Sequence, residues 1–474
     1  MFRKVLVANR GEIAVRIIRA CRELGIQTVV AHSEADRHSL PVYLADEAVC
    51  IGPGPSDKSY LNIANVVSAA LVSGSEAIHP GYGFLSENSY LAEVCEQCGI
   101  VFVGPPSRVI ERFSDKAAAR ELMRSAGLPV LPGVDRPVYT LEAAQKAAAT
   151  MGFPLMIKAC AGGGGRGLRA VMDDADLARS FAVAQREAQT AFGEGGLYLE
   201  ALVQGARHVE VQVLVDRYGN AVHLGERDCS LQRRHQKILE ECPSPGLDPE
   251  VRRAMGESAA AAAAAVGYEG AGTVEFLLDQ TGRYHFIEVN ARIQVEHPIS
   301  EVTTGIDLVK WQLRIAAGEP LGFDQTAVSV RGHAIECRIN AEDPMQGFAP
   351  QSGLIGSYMP PGGPGIRVDS HLFSGYMMPP YYDSLLAKVI AWGNDRLEAV
   401  ARMRRALEEF RTSGVSTNIP FHLQLLANRR FLEGRYDTDF VERILEGRDG
   451  EDLDGSVMLV SAAGPNGRRG RVGG

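Results

Sequence analysis

The chain has 474 residues, and at about 100–200 residues per domain this length predicts about three domains. Lys and Arg number 49 against 58 Asp and Glu, so the formal net charge is −9. This balance argues against nucleic acid as a partner, because nucleic-acid-binding domains are usually basic. No apolar run reaches the ~18 residues of a membrane-spanning helix, and the N-terminus lacks the apolar region and cleavage site of a signal peptide. We therefore expect a cytoplasmic protein without a membrane partner.

Eight cysteines are scattered along the chain, which indicates reduced thiols rather than a disulfide framework. Cys95 and Cys98 form one CxxC pair. We interpret them as structural cysteines on an amphipathic helix. A zinc or redox site is the alternative, but no second cysteine pair or histidine pair completes it.

The first 113 residues alternate between predicted strands and helices. KVLVAN at residues 4–9 is typical of a strand, a helix follows between Gly11 and Gly25, and QTVVAH begins a second strand. Strand, helix and strand at this spacing predict a parallel sheet. The turn reads NRGEIA and not GxGxxG, so the dinucleotide-binding fingerprint is absent.

The middle of the chain begins with a predicted helix at Ser114-Asp115-Lys116 and reaches an apolar strand that ends at Lys158. The alanine run Ala259–Ala265 predicts a helix, and TVEFLLDQTGRYHFIEVN predicts a hairpin with a Thr-Gly turn. From about Arg331 the sequence is rich in predicted strands, with a helix near 395–411. Residues 447–474 lack periodicity, and we expect a disordered tail.

A glycine cluster directly after Lys158 is the sharpest chemical feature of the sequence. Four consecutive glycines let the backbone approach a polyanion with its N–H groups pointing at phosphate oxygens. Lys158 and an arginine within the loop add positive charge, but no Gly-Lys-Ser/Thr follows, so this is not a Walker A loop. We interpret the cluster as a loop that covers phosphates; a flexible linker is the alternative.

The predicted hairpin carries Glu275 on its first arm and Glu288 and Asn290 on its second. Mg²⁺ prefers oxygen ligands and often takes one or two carboxylates plus nucleotide phosphates. Carboxylates between apolar neighbours are costly to bury unless they are paired or bind a metal. We therefore predict a metal site; two solvated strand carboxylates are the alternative.

Two further segments are rich in polar residues. If NARIQVEH is extended, alternation places four polar residues on one face: Asn290, Arg292, Gln294 and Glu296. That face offers a guanidinium for a planar anion beside a carboxylate that could act as a base, and a polar sheet surface is the alternative. The run ERDCSLQRRHQK at 226–237 has too few apolar residues for a core and is typical of a solvated face.

Several long motifs resemble those of the biotin carboxylase family within the ATP-grasp superfamily. The resemblance covers about residues 1–446 and rests on NRGEIA, HPGYGFLSEN, GGGGRG, ERDCSLQRRHQK, FIEVNARIQVEHP, GHAIECRINAEDP and PPYYDSLLAKV. It implies an α/β fold with a Rossmann-like domain at 1–113, an ATP-grasp domain at 114–330 whose mobile lid spans about 131–202, and a β-rich C-terminal domain at 331–446. It also implies an ATP-dependent ligase that carboxylates biotin with bicarbonate by way of carboxyphosphate.

The resemblance implies a role for each residue that matches a family motif. ATP would contact Lys116, Lys158, Gly164, Gly165, Glu200, Val203, His208, Gln232 and His235. Mg²⁺ or Mn²⁺ would bind Glu275, Glu288 and Asn290. Bicarbonate and biotin would be held by Lys237, Arg292, Gln294, Val295 and Arg338. Glu296 would deprotonate bicarbonate, and Arg338 would stabilise the biotin enolate.

Five positions depart from the family pattern, in which serine, glycine, methionine, lysine and threonine are commoner: Cys160, Ala161, Leu168, Ala201 and Ala291. None of these removes a catalytic group. Ala161 and Ala201 could alter lid motion or ATP affinity.

The resemblance also bears on partners. No Met-Lys-Met biotin-attachment site occurs, so we expect biotin on a separate carrier protein, carboxyltransferase subunits as further partners, and a homodimer. Acetyl-CoA carboxylase, in fatty acid synthesis, is the expected whole enzyme; a pyruvate or propionyl/acyl-CoA carboxylase is the alternative. A different ATP-grasp ligase and a catalytically silent nucleotide-binding subunit are the other classes. Arg338 argues against the first, and Glu296 and Lys237 argue against the second.

Overall fold

The structure, a computed structural model, describes residues 1–160 and 168–448. Its first strands are β1 (Lys4–Val7), β2 (Gln27–His32), β3 (Glu47–Cys50), β4 (Ala77–His79) and β5 (Val101–Phe102). The helices between and after them are α1 (Gly11–Glu23), α2 (Leu40–Leu44), α3 (Ile63–Ser73), α4 (Ser89–Gln97) and α5 (Ser107–Ser114). The strands form one parallel sheet in the order β3-β2-β1-β4-β5.

This parallel sheet confirms the strand–helix–strand prediction. β1 and β2 are buried almost throughout, because a parallel sheet is covered on both faces and its strands are therefore continuous apolar runs. The first residue of α1, Gly11, has φ +68°, a conformation that glycine adopts without strain.

The CxxC pair lies at the end of α4. Cys95 is buried within the helix, and burial raises the pKa of its thiol to about 12. Cys98 lies beyond Gln97, where the helix ends, and is exposed. The prediction of two structural cysteines on one helix is therefore right for Cys95 and wrong for Cys98. Over the described ranges, neither belongs to a cluster that could hold a metal ion.

A small three-stranded sheet follows in the chain. The elements are α6 (Lys116–Ser125), α7 (Leu141–Met151), β6 (Leu155–Ala159), β7 (Arg169–Val171), α8 (Asp174–Phe192) and β8 (Leu197–Ala201). The strand order is β7-β6-β8, and α7 and α8 pack on this sheet around a separate apolar core that includes Leu155, Ile157 and Phe181. We call β6–β8 with α7 and α8 the small unit.

The remaining chain is built on one large antiparallel sheet. Its first part comprises β9 (Arg207–Val215), β10 (Ala221–Arg233), β11 (Gln236–Cys242), α9 (Pro249–Ala265), β12 (Gly270–Leu278), β13 (Tyr284–Asn290), α10 (His297–Thr304) and α11 (Leu308–Ala316). α9 contains the alanine run and packs on the sheet, and β12 and β13 form the predicted hairpin. Both sequence predictions are confirmed.

The C-terminal part continues this sheet. Its strands are β14 (His333–Asn340), β15 (Glu342–Asp343), β16 (Ala349–Pro350), β17 (Gly353–Leu354), β18 (Tyr358–Met359), β19 (Ile366–Ser370), β20 (Met377–Met378), β21 (Leu385–Gly393) and β22 (Arg411–Thr412). Its helices are α12 (Arg396–Glu409), α13 (Ile419–Ala427), α14 (Arg429–Leu432) and α15 (Phe440–Leu445). β14 pairs with β11, so the sheet order is β13-β12-β9-β10-β11-β14-β21-β19. The predicted boundary at 330/331 therefore separates strands of a single sheet.

The charged run at 226–237 is not the solvated face that its composition predicts. Most of it lies on β10, where Glu226, Arg227, Asp228 and Ser230 are all buried. These residues are tolerated in the interior because each charge meets a partner from another strand or helix, as Asp228 meets Arg207 of β9 at 2.5 Å. Within the described chain, the helices are too short or too polar to cross a membrane. The predicted tail lies outside the described residues from 449 onward.

Glu241 on β11 joins the large sheet to the C-terminal helices. Its carboxylate accepts hydrogen bonds from Arg396 of α12 and from the Tyr436 hydroxyl at 2.7 Å, and it lies 2.7 Å from His333 Nε2. Burial opposes its ionisation, but the hydrogen bond to His333 and the Arg396 guanidinium outweigh burial and lower the pKa of Glu241 to about 2.

This depressed pKa makes stability depend on pH. A carboxyl with a lower pKa in the folded than in the unfolded chain stabilises the fold above its unfolded pKa of about 4.3 and loses that effect as the pH falls toward its folded pKa. We expect the melting temperature of the wild type to fall more steeply between about pH 5 and pH 2 than that of Glu241→Gln. Glu433→Gln, at an exposed glutamate that also pairs with arginine, is the control. Parallel melting curves for Glu241→Gln and the wild type would contradict the prediction.

Candidate active site

A cavity of about 1020 Å³ lies where the parallel sheet, the small unit and the large sheet meet. The loop after β1 contributes Arg10, the small unit contributes Lys158 and Glu200, and the hairpin contributes Glu275 and Glu288. Enclosed clefts between domains that carry a few convergent polar groups are the usual place for an active site.

Most of the expected site residues line this cavity. They are Lys158, Glu200, Val203, His208, Gln232, His235, Lys237, Glu275, Glu288, Asn290, Arg292, Gln294, Val295 and Arg338. Gly164 and Gly165 lie outside the described residues, as does the side chain of Lys116. Glu296 lies directly behind the cavity wall, where it is fully buried.

Glu296 is the N-cap residue of α10, and its carboxylate lies between two cations. Lys237 Nζ is 2.7 Å from Oε1, and Arg338 Nη2 is 2.9 Å from Oε2. Burial opposes the ionisation of Glu296, but Lys237, Arg338 and also Arg227 hold its pKa well below the usual range. The group is therefore an ionised carboxylate at neutral pH, shielded from water and linked to the cavity through two cations.

Lys237 is the centre of this charge network. Its ammonium lies 2.5 Å from Glu210, 3.0 Å from Glu275 and 2.7 Å from Glu296. Two groups of residues are close enough to ligate an ion: His208 with Glu210 and Glu275, and Glu210 with Cys229 and Glu296. Lys237 contacts carboxylates of both groups and balances part of their negative charge.

The segment after β13 is not extended. The strand ends at Asn290, and the following residues form bends and a turn that leads into α10. The predicted grouping holds for three of its four members, because Arg292 donates to Asn290 Oδ1 at 2.8 Å and to Gln294 Oε1 at 2.9 Å, whereas Glu296 contacts Lys237 and Arg338 instead. The fold of the turn, rather than strand alternation, brings these polar groups together.

Glu275, Glu288 and Asn290 carry the kind of oxygen atoms that a divalent metal ion binds, and a bound ion would replace the contacts of Glu275 with Lys237 and His208 and of Asn290 Oδ1 with Arg292. Glu275 and Glu288 are direct cross-strand partners of β12 and β13, so they project from one face of the hairpin, and all three residues line the cavity. Two carboxylates and an amide oxygen are the hard oxygen donors that Mg²⁺ and Mn²⁺ prefer. The burial of Glu275 also excludes the alternative of two solvated carboxylates.

The part of the cavity lined by the small unit has its own ion pair. Lys158 at the end of β6 lies 2.5 Å from Glu200 on the neighbouring strand β8. On the large sheet, His208 Nε2 lies 3.0 Å from Glu275 Oε2, while its Nδ1 lies 2.6 Å from Gln232 Nε2. The contacts of His208 link Gln232, a residue expected at the nucleotide, to Glu275 of the β12–β13 hairpin.

Three site residues were missed by the sequence analysis: Glu87, Glu210 and Arg227. Glu87 accepts from Arg292 Nε at 2.8 Å and from the backbone N–H of Ala291 at 3.0 Å. Arg227 is fully buried and donates to Glu210 at 2.6 Å. The alternation HVEVQVLV on β9 could have revealed Glu210, because polar residues two apart in an apolar strand indicate a polar face.

Comparison with known proteins decides the family. Three family models match in chain order: the biotin carboxylase N-terminal domain at 1–110, the carbamoyl-phosphate synthase L chain ATP-binding domain at 115–323, and the biotin carboxylase C-terminal domain at 336–443. Biotin carboxylase 1 of Bacillus subtilis is 55% identical over 443 residues, which are 93% of this chain and 98% of that protein. The chain belongs to the biotin carboxylase family.

Two further relatives show the range of the family. One subunit of the pyruvate carboxylase of Methanothermobacter thermautotrophicus is 51% identical over 95% of this chain and 92% of its own length. The biotin carboxylase domain dimer of Hydrogenobacter thermophilus 2-oxoglutarate carboxylase, solved with MgADP, ADP and bicarbonate, is 50% identical. It superposes with a TM-score of 0.91 over 94% of this chain and 99% of that one.

Membership confirms the expected three-part α/β fold and an ATP-dependent ligase activity of the biotin carboxylase type. With that activity come ATP, a divalent metal ion and biotin. The family to which the long sequence motifs pointed is therefore confirmed.

Proposed function

We propose that Glu296 deprotonates bicarbonate, that Arg292 and Lys237 hold the anion, and that Arg338 holds biotin. The observation that carries this assignment is the buried Glu296 carboxylate, held ionised between Lys237 and Arg338 beside the cavity. A base must be ionised before it can accept a proton, and these cations also attract an anionic substrate to the same place.

The proposed reaction has two stages. A bicarbonate oxygen attacks the γ-phosphorus of ATP while its proton passes to Glu296, so that the bond to ADP breaks and carboxyphosphate forms. Carboxyphosphate then breaks down to CO₂ and phosphate, the phosphate takes the N1′ proton of biotin, and the biotin enolate attacks CO₂. Glu275, Glu288 and Asn290 would hold the divalent ion, which neutralises charge on the ATP phosphates.

The nucleotide side of the assignment rests on the small unit. We assign three domains, at 1–113, 114–330 and 331–446. The second of them contains a lid at about 131–202. Support comes from the separate core of the small unit and from the position of Lys158 and Glu200 at the cavity. The remaining proposed ATP contacts are Lys116, Gly164, Gly165, Val203, His208, Gln232 and His235. Closure of such a lid excludes water, which protects carboxyphosphate from hydrolysis.

Biotin-stimulated ADP release tests this function. Purified protein is given ATP, Mg²⁺ and bicarbonate with and without free biotin, and ADP is measured. We expect stimulation by biotin that also requires bicarbonate. ATP binding without biotin stimulation would favour a different ATP-grasp ligase or a protein that is active only with its carrier.

We further propose that the biotin is attached to a separate carrier protein and that the whole enzyme is a cytoplasmic acetyl-CoA carboxylase containing carboxyltransferase subunits and a dimer of this chain. The B. subtilis relative supports the separate-subunit design, because it is named biotin carboxylase and the match covers 98% of its length. The M. thermautotrophicus relative, which is named as part of a pyruvate carboxylase, favours the second candidate, the same half-reaction in a pyruvate carboxylase.

Co-purification with native partners distinguishes these acceptors. Tagged protein isolated from its own cells under mild conditions is supplied with ATP, ¹⁴C-bicarbonate and one of acetyl-CoA, propionyl-CoA or pyruvate. We expect labelled malonyl-CoA. Labelled oxaloacetate in its place would identify a pyruvate carboxylase.

A further inference from the structure

Two buried glutamates lie behind Arg338, and the proposed reaction does not use either. Glu240 on β11 and Glu336 on β14 are direct partners across the antiparallel pair, so their side chains project from the same face at a spacing of about 5 Å between Cβ atoms. Both are fully buried. Two carboxylates this close in a dry interior cannot both remain ionised without additional cations.

The nearby cations contact one oxygen of the pair, Glu240 Oε1, and otherwise bind other acceptors. Arg338 donates to Glu240 Oε1 at 2.6 Å and to Glu296 Oε2 at 2.9 Å. Lys388, its cross-strand neighbour on β21, lies 3.1 Å from Glu12 and donates to the carbonyl of Val295 at 2.8 Å. Within the described residues, both oxygens of Glu336 and Oε2 of Glu240 are buried without a hydrogen-bond partner.

One proton would satisfy two of these three oxygens. A protonated Glu336 can donate its O–H to Glu240 Oε2, while Glu240 Oε1 continues to accept from Arg338. Only one of the three oxygens is then left without a partner, and Glu336 carries no negative charge. An ionised Glu336 would leave the desolvation cost of a buried charge uncompensated.

We propose that Glu240 and Glu336 form an acid pair that holds one proton, carried by Glu336, and that this pair positions the Arg338 guanidinium. The chain of contacts runs from the Glu336 hydroxyl to the Glu240 carboxylate, on to Arg338 and then to Glu296. This inference rests on the proposed role of Arg338 at biotin. Glu336 is a positioning residue in this scheme, since it acts through Glu240 and Arg338.

The electrostatic surroundings agree with this assignment. Burial raises the pKa of Glu336 well above its usual range, outweighing the attraction of Lys388, and burial likewise raises the pKa of Glu240 despite Arg338. The charged and titratable groups around the pair lie on its own strands and on neighbouring segments: Lys237, Cys337 and Arg338 on β11 and β14, Cys229 on β10, Lys388 on β21, and Glu296 before α10.

Loss of this proton would weaken biotin binding. A second negative charge beside Arg338 would draw the guanidinium toward the pair and away from the biotin oxygen, and it would oppose charge development on the enolate. We therefore expect the wild-type KM for biotin to rise at alkaline pH, as Glu336 ionises. In Glu336→Gln, which cannot ionise and still donates a hydrogen bond, this rise is absent.

Infrared spectroscopy tests the proton directly. A protonated carboxylic acid has a carbonyl stretch that is separated from the carboxylate bands, and the wild type should show one at neutral pH that is missing in Glu336→Gln. Absence of this difference would overturn the acid pair whatever the activity. If Glu336→Gln does not fold, a wild-type KM for biotin that stays constant to alkaline pH overturns the proposal.

Two variants test the positioning role. Glu336→Met removes the donor at similar size, and we expect its kcat/KM for biotin to fall by about tenfold while Glu336→Gln loses less, because only Gln can donate to Glu240. Equal losses of kcat/KM in Glu336→Met and Glu336→Gln would overturn the positioning role. A Glu336→Gln variant whose KM for biotin keeps the wild-type pH dependence would also overturn it. Bicarbonate-dependent ADP release by the wild type is measured alongside, so a failure of the proposed function is seen separately.

Discussion

Replacing Glu296 by Gln is expected to lower biotin-stimulated ADP release by about 10²–10⁴-fold, the usual contribution of a general base. Glutamine keeps the size of the side chain and can still accept a hydrogen bond from Lys237 or Arg338, but it can neither take a proton nor balance their charges. The KM for ATP should change little, because the Glu296 carboxylate contacts Lys237 and Arg338, whereas the proposed ATP contacts Lys158 and Glu200 pair with each other. Steady-state kinetics with varied bicarbonate, biotin and ATP measure these effects.

Glu342→Gln is the matched control for this experiment. Glu342 also lines the cavity, but its carboxylate binds Asn340 and Ser384 rather than the cations beside Glu296. Its activity should remain near that of the wild type. A Glu296→Gln variant that folds normally and retains most of its biotin-dependent activity would refute the assignment of Glu296 as the base.

Replacing the buried Arg227 by Met is expected to lower the free energy of unfolding by about 3–5 kcal/mol, as removal of one partner from a buried ion pair does. Arg227 has no solvent exposure and donates to Glu210, Gln212, Ser300 and Thr273 at 2.6–3.1 Å. Methionine fills similar space but leaves these acceptors without their donor. Urea unfolding followed by circular dichroism measures the change.

The same substitution should also lower activity. Glu210 would keep only Lys237, which would then be drawn from Glu296 toward Glu210, so the base would lose part of the field that keeps it ionised. Arg253→Met is the control, because Arg253 also pairs with two glutamates but lies exposed on α9. Equal unfolding midpoints for the two variants would contradict the prediction.

The catalytic candidates can be named from the sequence because they lie in long motifs. The surroundings of these residues cannot be predicted in this way. Glu296 and Lys237 are 59 residues apart, yet they are 2.7 Å apart in space. Composition alone predicts a solvated face for the charged run that contains Lys237, since composition reports polarity but not the partners that make burial possible. Arg227 in that run can be buried because its hydrogen-bond acceptors come from β9, β12 and α10.

The sequence by itself determined the local elements and the family. The buried runs of β1 and β2, the alanine helix α9 and the hairpin of β12 and β13 each follow from periodicity and turn residues within a short segment. Only the tertiary structure decided that β11 pairs with β14, which joins two predicted domains in one sheet and places Glu240 opposite Glu336. Strand pairing over such a separation depends on contacts across the whole fold, and the protonation of a buried glutamate depends on which charges that pairing brings beside it.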